Sequence, residues 1–418
     1  MEFKISINDF LEYIIALSVI FICQTVYARL DAGINMRILG HIVLAFVLLV
    51  YIIILQSETG LSFLKKDLYK LFIYIVLALF FLMTNAIHND VSNYSGRFLV
   101  ILPLFFVLFS LDYDVFYNLL EKVSKIMAII AIVSLFFWLF GSILHFISPT
   151  SNVHTNWAGG TNITSYYNLY FERQIETFFG RRITRNIGCF TETPMYAFCL
   201  MIAILAETFL LKNNSKRRFL FYLTMMTTIS ITGIVLSSGV FVVDYFISHT
   251  DQEEGGIPVQ TLIVGSIIGI IGIAIGGIVF YQKINRGVGW AGRLSGLQVA
   301  SNDWRAHFWI GAGFSSSDNE RRSDTYKNLI TGLGMVVSQG GLLLLVMNVY
   351  PFVLCWLKSL KLKGFGGIFW FSLFVFIEFV ATAIQYQPIL LMVLALLMVY
   401  DPESQIETRI AELNDVYI

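Results

Sequence analysis

The sequence is short of charge. Asp, Glu, Lys and Arg make up 13% of its 418 residues and 57% are hydrophobic, whereas soluble proteins are roughly 25% charged. Mean hydropathy is +0.73. So few charged side chains cannot cover the surface of a soluble protein. This excludes a soluble enzyme or a nucleic-acid-binding domain, and it makes a membrane protein the class to expect.

Residues that hold metals or nucleotides are also scarce. The four cysteines, Cys23, Cys189, Cys199 and Cys355, have no metal-ligand spacing, and three of them fall within apolar runs. The sequence has no phosphate-binding loop of the Walker type and no cluster of metal ligands. We therefore expect the cysteines to pack in the core. We expect no metal, no cofactor and no nucleic-acid partner.

Apolar runs recur along nearly the whole length. A run of about 20 residues crosses the hydrocarbon core of a bilayer as a helix, and a helix satisfies its backbone hydrogen bonds internally. The sequence therefore predicts an all-α, polytopic integral membrane protein of about 12 transmembrane helices with two large external loops. The predicted spans are residues 10–28, 36–55, 69–87, 97–111, 122–146, 194–211, 218–232, 233–248, 258–281, 328–347, 364–384 and 387–400.

The seventh and eighth predicted spans form one continuous apolar stretch. Residues 218–248 are too long for one ordinary crossing. We expect the chain to double back at Thr232 and Gly233. A single tilted helix followed by a re-entrant segment is the alternative.

Lysines set the expected orientation, because cytoplasmic segments of membrane proteins carry an excess of positive charge. One side of this topology, which we expect to be cytoplasmic together with both termini, carries Lys4, Lys65, Lys66, Lys70, Lys122, Lys125, Lys212, Lys216, Lys358, Lys361 and Lys363. The chain then divides into helices (1–146), a first external loop (147–193), helices (194–281), a second external loop (282–327), and helices with a cytoplasmic tail (328–418).

Arginines follow the opposite pattern. The two external loops carry Arg173, Arg181, Arg182, Arg185, Arg286, Arg293, Arg305, Arg321 and Arg322. Solubility alone gives no reason to prefer arginine to lysine. A guanidinium group offers a planar set of donors that matches two phosphate oxygens at once, and it costs less to desolvate than an ammonium group. We therefore predict an external anion site suited to phosphate.

Each of these arginines also has a simpler interpretation. Charge in an external loop is usually a solvated face, and Glu172 or Glu176 would form local helical salt bridges with neighbouring arginines. Acidic residues around Arg321 and Arg322 would neutralise those two, which makes them weaker candidates.

The first loop ends in RNIGCFTETP, residues 185–194. Thr193 is expected to cap the next span and Pro194 to occupy its first turn. The positive end of that helix would then lie near Arg185 and below Gly188. Glu192, held extended before Thr193 and Pro194, would act as a base, orient Arg185 or cap the helix.

The second loop combines aromatic and polar residues. Trp304 lies beside Arg305 and His307, in a segment that suits a membrane interface and also the apolar face of a sugar ring. Gly311 and Gly313 predict a tight turn with close backbone approach. His307 is either a base or a surface histidine.

These segments carry a family resemblance. RNIGCFTETP, GRLSGLQVASNDWRAHFWIGAGFSSS and YKNLITGLGMVVSQGGLLLLV, within a twelve-span layout with two outer loops, resemble the bacterial O-antigen and capsular polysaccharide polymerases of the Wzy type. The resemblance implies a C-type glycosyltransferase architecture that works without a metal. It also implies polymerisation of undecaprenyl-pyrophosphate-linked oligosaccharides, as donor and acceptor, at the outer face of the bacterial inner membrane. A chain-length regulator is a further implied partner.

The same resemblance implies a set of site residues. Arg185, Gly188, Glu192 and Pro194 match the first-loop motif, and Arg293, Gly311, Gly313 and Asn328 match the second. We predict Arg185 and Arg293 as the principal phosphate ligands. Glu192 and His307 are the other catalytic candidates. Substrate binding is assigned to Arg181, Arg182, Arg305, Gly188, Gly311, Gly313, Trp304 and Asn328.

Two other functions fit the same layout. A flippase or transporter of lipid-linked sugars would use ionisable groups within the membrane, where Glu378, with Gln385 and Gln387 beyond it, is available. Glu378 would then line an external cavity; otherwise it is a buried, hydrogen-bonded residue. An O-antigen ligase shares the donor chemistry, but such ligases usually carry a histidine where this chain has DTYKNL.

Overall fold

The computed structural model describes residues 6–33, 35–59, 64–86, 96–157, 160–178, 181–211, 214–248, 288–313, 331–360 and 366–401. This part of the chain is predominantly helical. Its helices are α1 (Ile7–Ile22), α2 (Met36–Thr59), α3 (Leu64–Ala86), α4 (Arg97–Leu111), α5 (Asp114–Ile143), α6 (Thr193–Leu210), α7 (Ser215–Thr228), α8 (Ile231–Ser248), α9 (Val288–Ala306), α10 (Gly332–Leu360), α11 (Gly367–Ala381) and α12 (Pro388–Val399).

Five of these helices are long and apolar enough to cross a membrane: α2, α5, α6, α8 and α10. Shorter apolar helices lie in α3, α4, α11 and α12. Many large apolar side chains on the outer helices are exposed, for example Phe46, Phe72 and Ile129. A soluble protein buries such residues, whereas lipid solvates them. The architecture is that of a helical membrane protein.

Two helices form the centre of the bundle. In the most apolar part of α6, 89% is buried inside the protein, against 39% for α2. Helix α12 is buried along its whole length, from Pro388 to Val399. Both helices are apolar on all sides, as a helix surrounded by other helices requires. Each begins with a proline in its first turn, Pro194 and Pro388.

The segment before α6 folds as β-structure. Strands β1 (Ser151–Thr155), β2 (Thr161–Tyr166) and β3 (Tyr170–Glu172) form an antiparallel sheet, and β4 (Ile175–Phe178) pairs with β5 (Arg181–Thr184) as a separate hairpin. The prediction of an all-α protein is therefore correct for the helical body and wrong for this loop.

The helices also differ from the predicted spans at several points. The break between α7 and α8 lies at Ile229, which is left-handed (φ 50°), and not at Thr232 and Gly233. A helix, α9, occupies part of the predicted second loop. The ninth predicted span, 258–281, lies outside the described residues.

Helix α10 is broken in its middle. Gly341 has φ 56° and ψ −148°, and residues 308–313 fill the gap. The amides of Ala312 and Gly313 donate to the carbonyl oxygens of Ser338 and Gln339, at 2.7 and 3.0 Å. The amide of Leu342 donates to Phe308. The backbone groups freed by the break are thus satisfied, as burial among helices requires.

Lysines lie at the ends of the helices remote from the β-structure. Lys70 donates to the carbonyl oxygen of Met398 at 3.3 Å and Lys358 donates to that of Tyr400, both at the carboxyl end of α12. Lys122 forms an ion pair with Asp9 near the start of α1. Cations at a helix carboxyl end are favourable because they face its negative dipole.

Candidate functional site

The segment that leads into α6 is anchored inside the bundle by Asn186. This side chain is fully buried; its amide nitrogen donates to Ser134 and Thr227 at 3.2 and 3.0 Å, and its oxygen accepts from the Gly188 amide at 3.0 Å. Ser134 in turn shares a hydrogen bond with Tyr196. A buried amide with its hydrogen bonds satisfied fixes a loop firmly.

Gly188 allows this segment to pack closely. Its φ is +58°, and a side-chain carbon placed there would lie 3.1 Å from the ring of Tyr196. Only glycine combines this backbone conformation with such contact at low cost. On the other side, the end of α1 pairs with the segment: Val26 donates to Cys189, and Thr191 donates to Gln24.

The start of α6 differs from the prediction in one respect. Glu192 is the residue before the first turn of α6 and has an extended conformation (φ −154°, ψ 151°). Its side chain makes no capping hydrogen bond to the helix. Thr193 does not cap the helix; instead its amide and hydroxyl both donate to the Oε1 of Gln174. Glu192 therefore keeps its carboxyl free of a capping role and remains partly exposed.

Arg185 interacts electrostatically with Glu192 and is 8% exposed. Its Nε donates to the carbonyl oxygen of Thr228 at 3.0 Å, and its Nη1 lies 3.7 Å from Glu176. The first contact ties the guanidinium to the end of α7. The second is longer than a hydrogen bond, so most of the donor hydrogens of Arg185 are uncommitted by these two contacts.

Arg173 and Arg29 complete the cluster. The Arg173 guanidinium lies 4.0 Å from the ring centroid of Trp157, a cation–π contact, and its Nη1 is buried with no hydrogen-bond partner among the described residues. The Nε of Arg29 donates to Gln24 at 2.6 Å. We call Arg29, Arg173, Arg185 and Glu192 the arginine cluster.

Glu192 and the arginines of the cluster are coupled electrostatically. Burial raises the pKa of the Glu192 carboxyl, and the positive charges of Arg173, Arg29 and Arg185 oppose that rise. Burial lowers the pKa of Arg185 to about 10, against the pull of Glu176 and Glu192. Arg185 therefore stays charged near neutral pH. Three guanidinium groups therefore act electrostatically on the single carboxylate of the cluster.

The neighbouring acid Glu172 is not part of this cluster. Its two oxygens accept from the hydroxyl groups of Tyr166 and Thr184, at 3.0 and 2.7 Å. Glu176 pairs with Arg185 from strand β4 and not along a helix. The helical salt bridges expected of these two acids are thus absent from the described contacts, because the segment is a β-hairpin.

Arg181 and Arg182, predicted to assist, lie on β5. The Arg182 side chain is exposed, and that of Arg181 lies outside the described part of the chain. Among the described residues, no hydrogen bond or ion pair joins Arg182 to the arginine cluster.

The second-loop residues fall into two groups. Trp304, Arg305 and His307 lie at the end of α9 and beyond it; Arg305 and His307 are exposed, while Trp304 stacks on Phe308 with centroids 5.5 Å apart. Arg293 lies on α9, with its side chain outside the described part, and Asn328 lies outside the described residues.

Gly311 and Gly313 make the close backbone approach that their spacing predicts. Both are left-handed, with φ +69° and +85°. A side-chain carbon at Gly311 would lie 2.4 Å from the carbonyl carbon of Gln339. Both glycines therefore pack against the break in α10, and they are not part of the arginine cluster.

Sequence reasoning missed Arg29, Trp157 and Gln174 as site residues. Arg29 directly follows the first predicted span, residues 10–28, but nothing in the sequence indicates that it lies close to Glu192. No known protein family, characterised protein or solved structure matches this chain. The site therefore has to be interpreted from its own chemistry.

Proposed function

We propose that this chain is a polysaccharide polymerase of the bacterial plasma membrane. It would join undecaprenyl-pyrophosphate-linked oligosaccharide repeat units at the outer face, with both termini cytoplasmic and no metal. The observation that carries the proposal is the arginine cluster: three guanidinium groups converge on the amino end of a buried helix. Oriented guanidinium groups beside a helix amino end are a setting suited to pyrophosphate.

The cluster would act on the leaving group. Breaking the bond between a sugar and its pyrophosphate adds about one negative charge to the departing phosphate, so contacts to those oxygens strengthen in the transition state. Each charge-assisted hydrogen bond contributes roughly 1.5–3 kcal/mol. Two such contacts from Arg173 and Arg185 would thus accelerate transfer by a factor of about 10² or more.

Glu192 would accept the proton of the attacking sugar hydroxyl. It is partly exposed beside the arginines, and it is not committed to capping α6. A carboxyl whose pKa is raised by burial is a better base than an ordinary glutamate, provided that it is ionised at the working pH.

One observation favours the transporter alternative. Helix α10 is broken at Gly341, and the nearby α11 carries Glu378, which is 1% exposed and accepts from Thr382 at 3.1 Å. Broken helices and buried acids are typical of carriers. Glu378 is thus a buried, hydrogen-bonded residue. This position argues against the alternative in which Glu378 lines an open cavity of a transporter.

Elongation by the purified protein tests the proposal. Detergent-solubilised protein is supplied with lipid-pyrophosphate-linked repeat units of the host polysaccharide, and products are separated by gel electrophoresis. A polymerase forms a ladder of longer lipid-linked chains without a second compartment. A carrier leaves the substrate unchanged. A ligase consumes it only when another acceptor, such as a lipid A core, is added.

A further inference from the structure

Exposed apolar side chains lie where α5 meets the β-structure. Phe146, which follows α5, is 76% exposed, and Tyr167 and Leu169, at the turn between β2 and β3, are 62% and 53% exposed. We call these three residues the apolar tip. A group of exposed apolar side chains marks a surface that contacts another molecule or a membrane.

Ring contacts join the apolar tip to α5. The ring centroid of Phe136 lies 5.2 Å from that of Phe137 and 5.1 Å from that of Phe140. The ring of Phe137 lies 6.1 Å from that of Tyr167, and the ring of Phe140 lies 6.4 Å from that of Phe146. Phe146 and Tyr167 therefore belong to one aromatic cluster at the end of α5.

The apolar tip continues the outer face of α5. Ile129, Ile132, Phe136 and Leu139 are exposed, and they recur every three or four residues, a spacing that places them on one side of a helix. Helix α5 is long and apolar enough to cross a membrane, so lipid is the solvent that this face requires. The apolar tip extends the lipid-facing surface beyond the end of the helix.

Helix length gives the depth of the apolar tip. Lys125, the last charged residue of α5, is partly exposed and pairs with Glu121 at 2.9 Å. From Lys125 to Ile143 the helix rises about 27 Å, and the hydrocarbon core of a bilayer is about 30 Å thick. Because the charged pair belongs at one boundary of the hydrocarbon, α5 ends close to the other. Phe146 then follows at the level of the headgroups.

The turn that carries Tyr167 has an uncommon backbone. Tyr167 and Asn168 are both left-handed, with φ 53° and 55°, a conformation that glycine and asparagine adopt more readily than tyrosine. The turn is held by hydrogen bonds: the Tyr167 amide donates to the Thr150 hydroxyl at 2.8 Å, and the Tyr27 hydroxyl donates to the Asn168 carbonyl at 2.5 Å. An exposed tyrosine in a strained backbone position indicates a role for its ring at the surface.

We propose that the apolar tip inserts into the headgroup region of the bilayer and anchors the β1–β3 sheet to the lipid surface. Tyrosine suits this position, because its ring is apolar and its hydroxyl contacts water and headgroups. Lipid is the occupant because the apolar tip continues the lipid-facing side of α5 at the depth of the headgroups.

The anchor sets the height of the arginine cluster relative to the bilayer. Arg173 follows Leu169 by four residues, which is no more than about 13 Å of extended chain. Between them, the Phe171 amide donates to the carbonyl oxygen of Gly188 at 3.0 Å. The inference goes beyond the proposed polymerase function and does not depend on it.

A spin label measures the depth of the apolar tip. A nitroxide is attached to Leu169→Cys in protein reconstituted into bilayers of phosphatidylethanolamine and phosphatidylglycerol. Its collisions with oxygen and with a water-soluble nickel chelate are then measured. All four native cysteines are buried. Ile129→Cys on α5 is the lipid-facing reference, and Ser151→Cys on β1 is the water-exposed reference.

Contact with lipid predicts opposite changes in the two collision rates, because oxygen concentrates in the bilayer and the chelate is excluded from it. The label at Leu169→Cys should collide with the chelate roughly threefold less often than the label at Ser151→Cys, and with oxygen more often. Chelate collisions equal to those at Ser151→Cys would place the apolar tip in water and overturn the proposal. Low rates with both reagents would show that protein covers it, either a second copy or a partner, and would also overturn the proposal.

Tyr167→Asn tests the ring itself. Asparagine accepts the left-handed backbone, so the variant should be recovered in normal yield with a monodisperse gel-filtration peak. Chelate collisions of the label at Leu169→Cys should rise about twofold when the ring is removed. Tyr350→Asn, which changes an exposed tyrosine of α10, is the matched control and should leave them unchanged. A folded Tyr167→Asn protein with unchanged chelate collisions would overturn the proposal.

Discussion

The Nε of Arg185 donates to the carbonyl oxygen of Thr228 across 3.0 Å, which ties an arginine of the first loop to the end of α7. The adjacent Asn186 is fixed to Thr227 in the same way. Arg185 is therefore held at the end of α7 both by its own side chain and by the neighbouring Asn186. Such a rigid setting is what electrostatic stabilisation of a leaving group requires, because the donors need not reorganise during the reaction.

Arg185→Lys should abolish most activity although it keeps the charge. Lysine cannot donate to Thr228 and also present a planar pair of donors to phosphate. We expect elongation to fall by a factor of about 10² or more, with normal protein yield and a monodisperse gel-filtration peak. Arg182→Lys is the matched control, because Arg182 is exposed, and it should lower the rate by no more than about threefold. Equal losses in the two variants would contradict this assignment.

Glu192 should set the acidic side of the pH–rate profile. Because burial raises its pKa above the ordinary value of 4.5, the rate should begin to fall at a higher pH than an exposed glutamate would give. Glu192→Gln should be slow and should lack this limb. An acidic limb that is unchanged in Glu192→Gln would remove the residue from the proton transfer.

The same shift has a consequence for stability. A carboxyl with a raised folded-state pKa favours the folded protein at low pH and loses that contribution as pH rises from the ordinary value through the folded value. The melting temperature of the wild type should therefore fall over that interval by more than that of Glu192→Gln.

Trp157→Leu should weaken donor binding and also lower the rate at saturation, because Arg173 is proposed to stabilise the leaving group. The ring of Trp157 lies 4.0 Å from the Arg173 guanidinium and holds it in place. A cation–π contact at a partly exposed site contributes about 0.5–1 kcal/mol, so the donor KM should rise about two- to fivefold. Trp157→Phe should restore most of this loss. A Leu variant with the wild-type KM would mean that the contact does not orient Arg173 for binding.

Gly311→Ala tests the packing at the break in α10, with Gly33→Ala and Gly366→Ala as controls. Gly311→Ala combines a left-handed backbone with an approach of 2.4 Å to Gln339 and should prevent recovery of folded protein. Gly33→Ala has φ +73° but nothing within 4 Å, so it should cost only about 1–2 kcal/mol. Gly366→Ala has neither feature and should be neutral. The yield and melting temperature of the purified variants give the comparison; a stable Gly311→Ala protein would contradict the packing described for residues 308–313.

The sequence predicted the helices better than the site, for physical reasons. A run such as residues 36–55 is apolar throughout, and hydrophobic length alone indicates a helix there. Strands such as Ser151–Thr155 and Tyr170–Glu172 are three to six residues long and show no apolar alternation, so hydrophobic periodicity does not reveal them.

The site was predicted only where it is local in sequence. Arg185, Gly188 and Glu192 occur in one short motif, and the structure does place Arg185 within electrostatic reach of Glu192. Arg29 reaches the same carboxyl from the end of α1, through pairing of Gln24 with Thr191. A contact of this kind depends on how helices that are distant in sequence pack together. The spacing of residues within one motif therefore cannot predict it.

The side of the membrane on which the arginine cluster lies tests the account most directly. Ser151→Cys on β1 and Ser215→Cys at the start of α7 both place a thiol at an exposed position, and all four native cysteines are buried. In intact cells, a membrane-impermeant maleimide should label Ser151→Cys and should label Ser215→Cys only after permeabilisation. The reverse pattern would place the cluster in the cytosol and would contradict the proposed function.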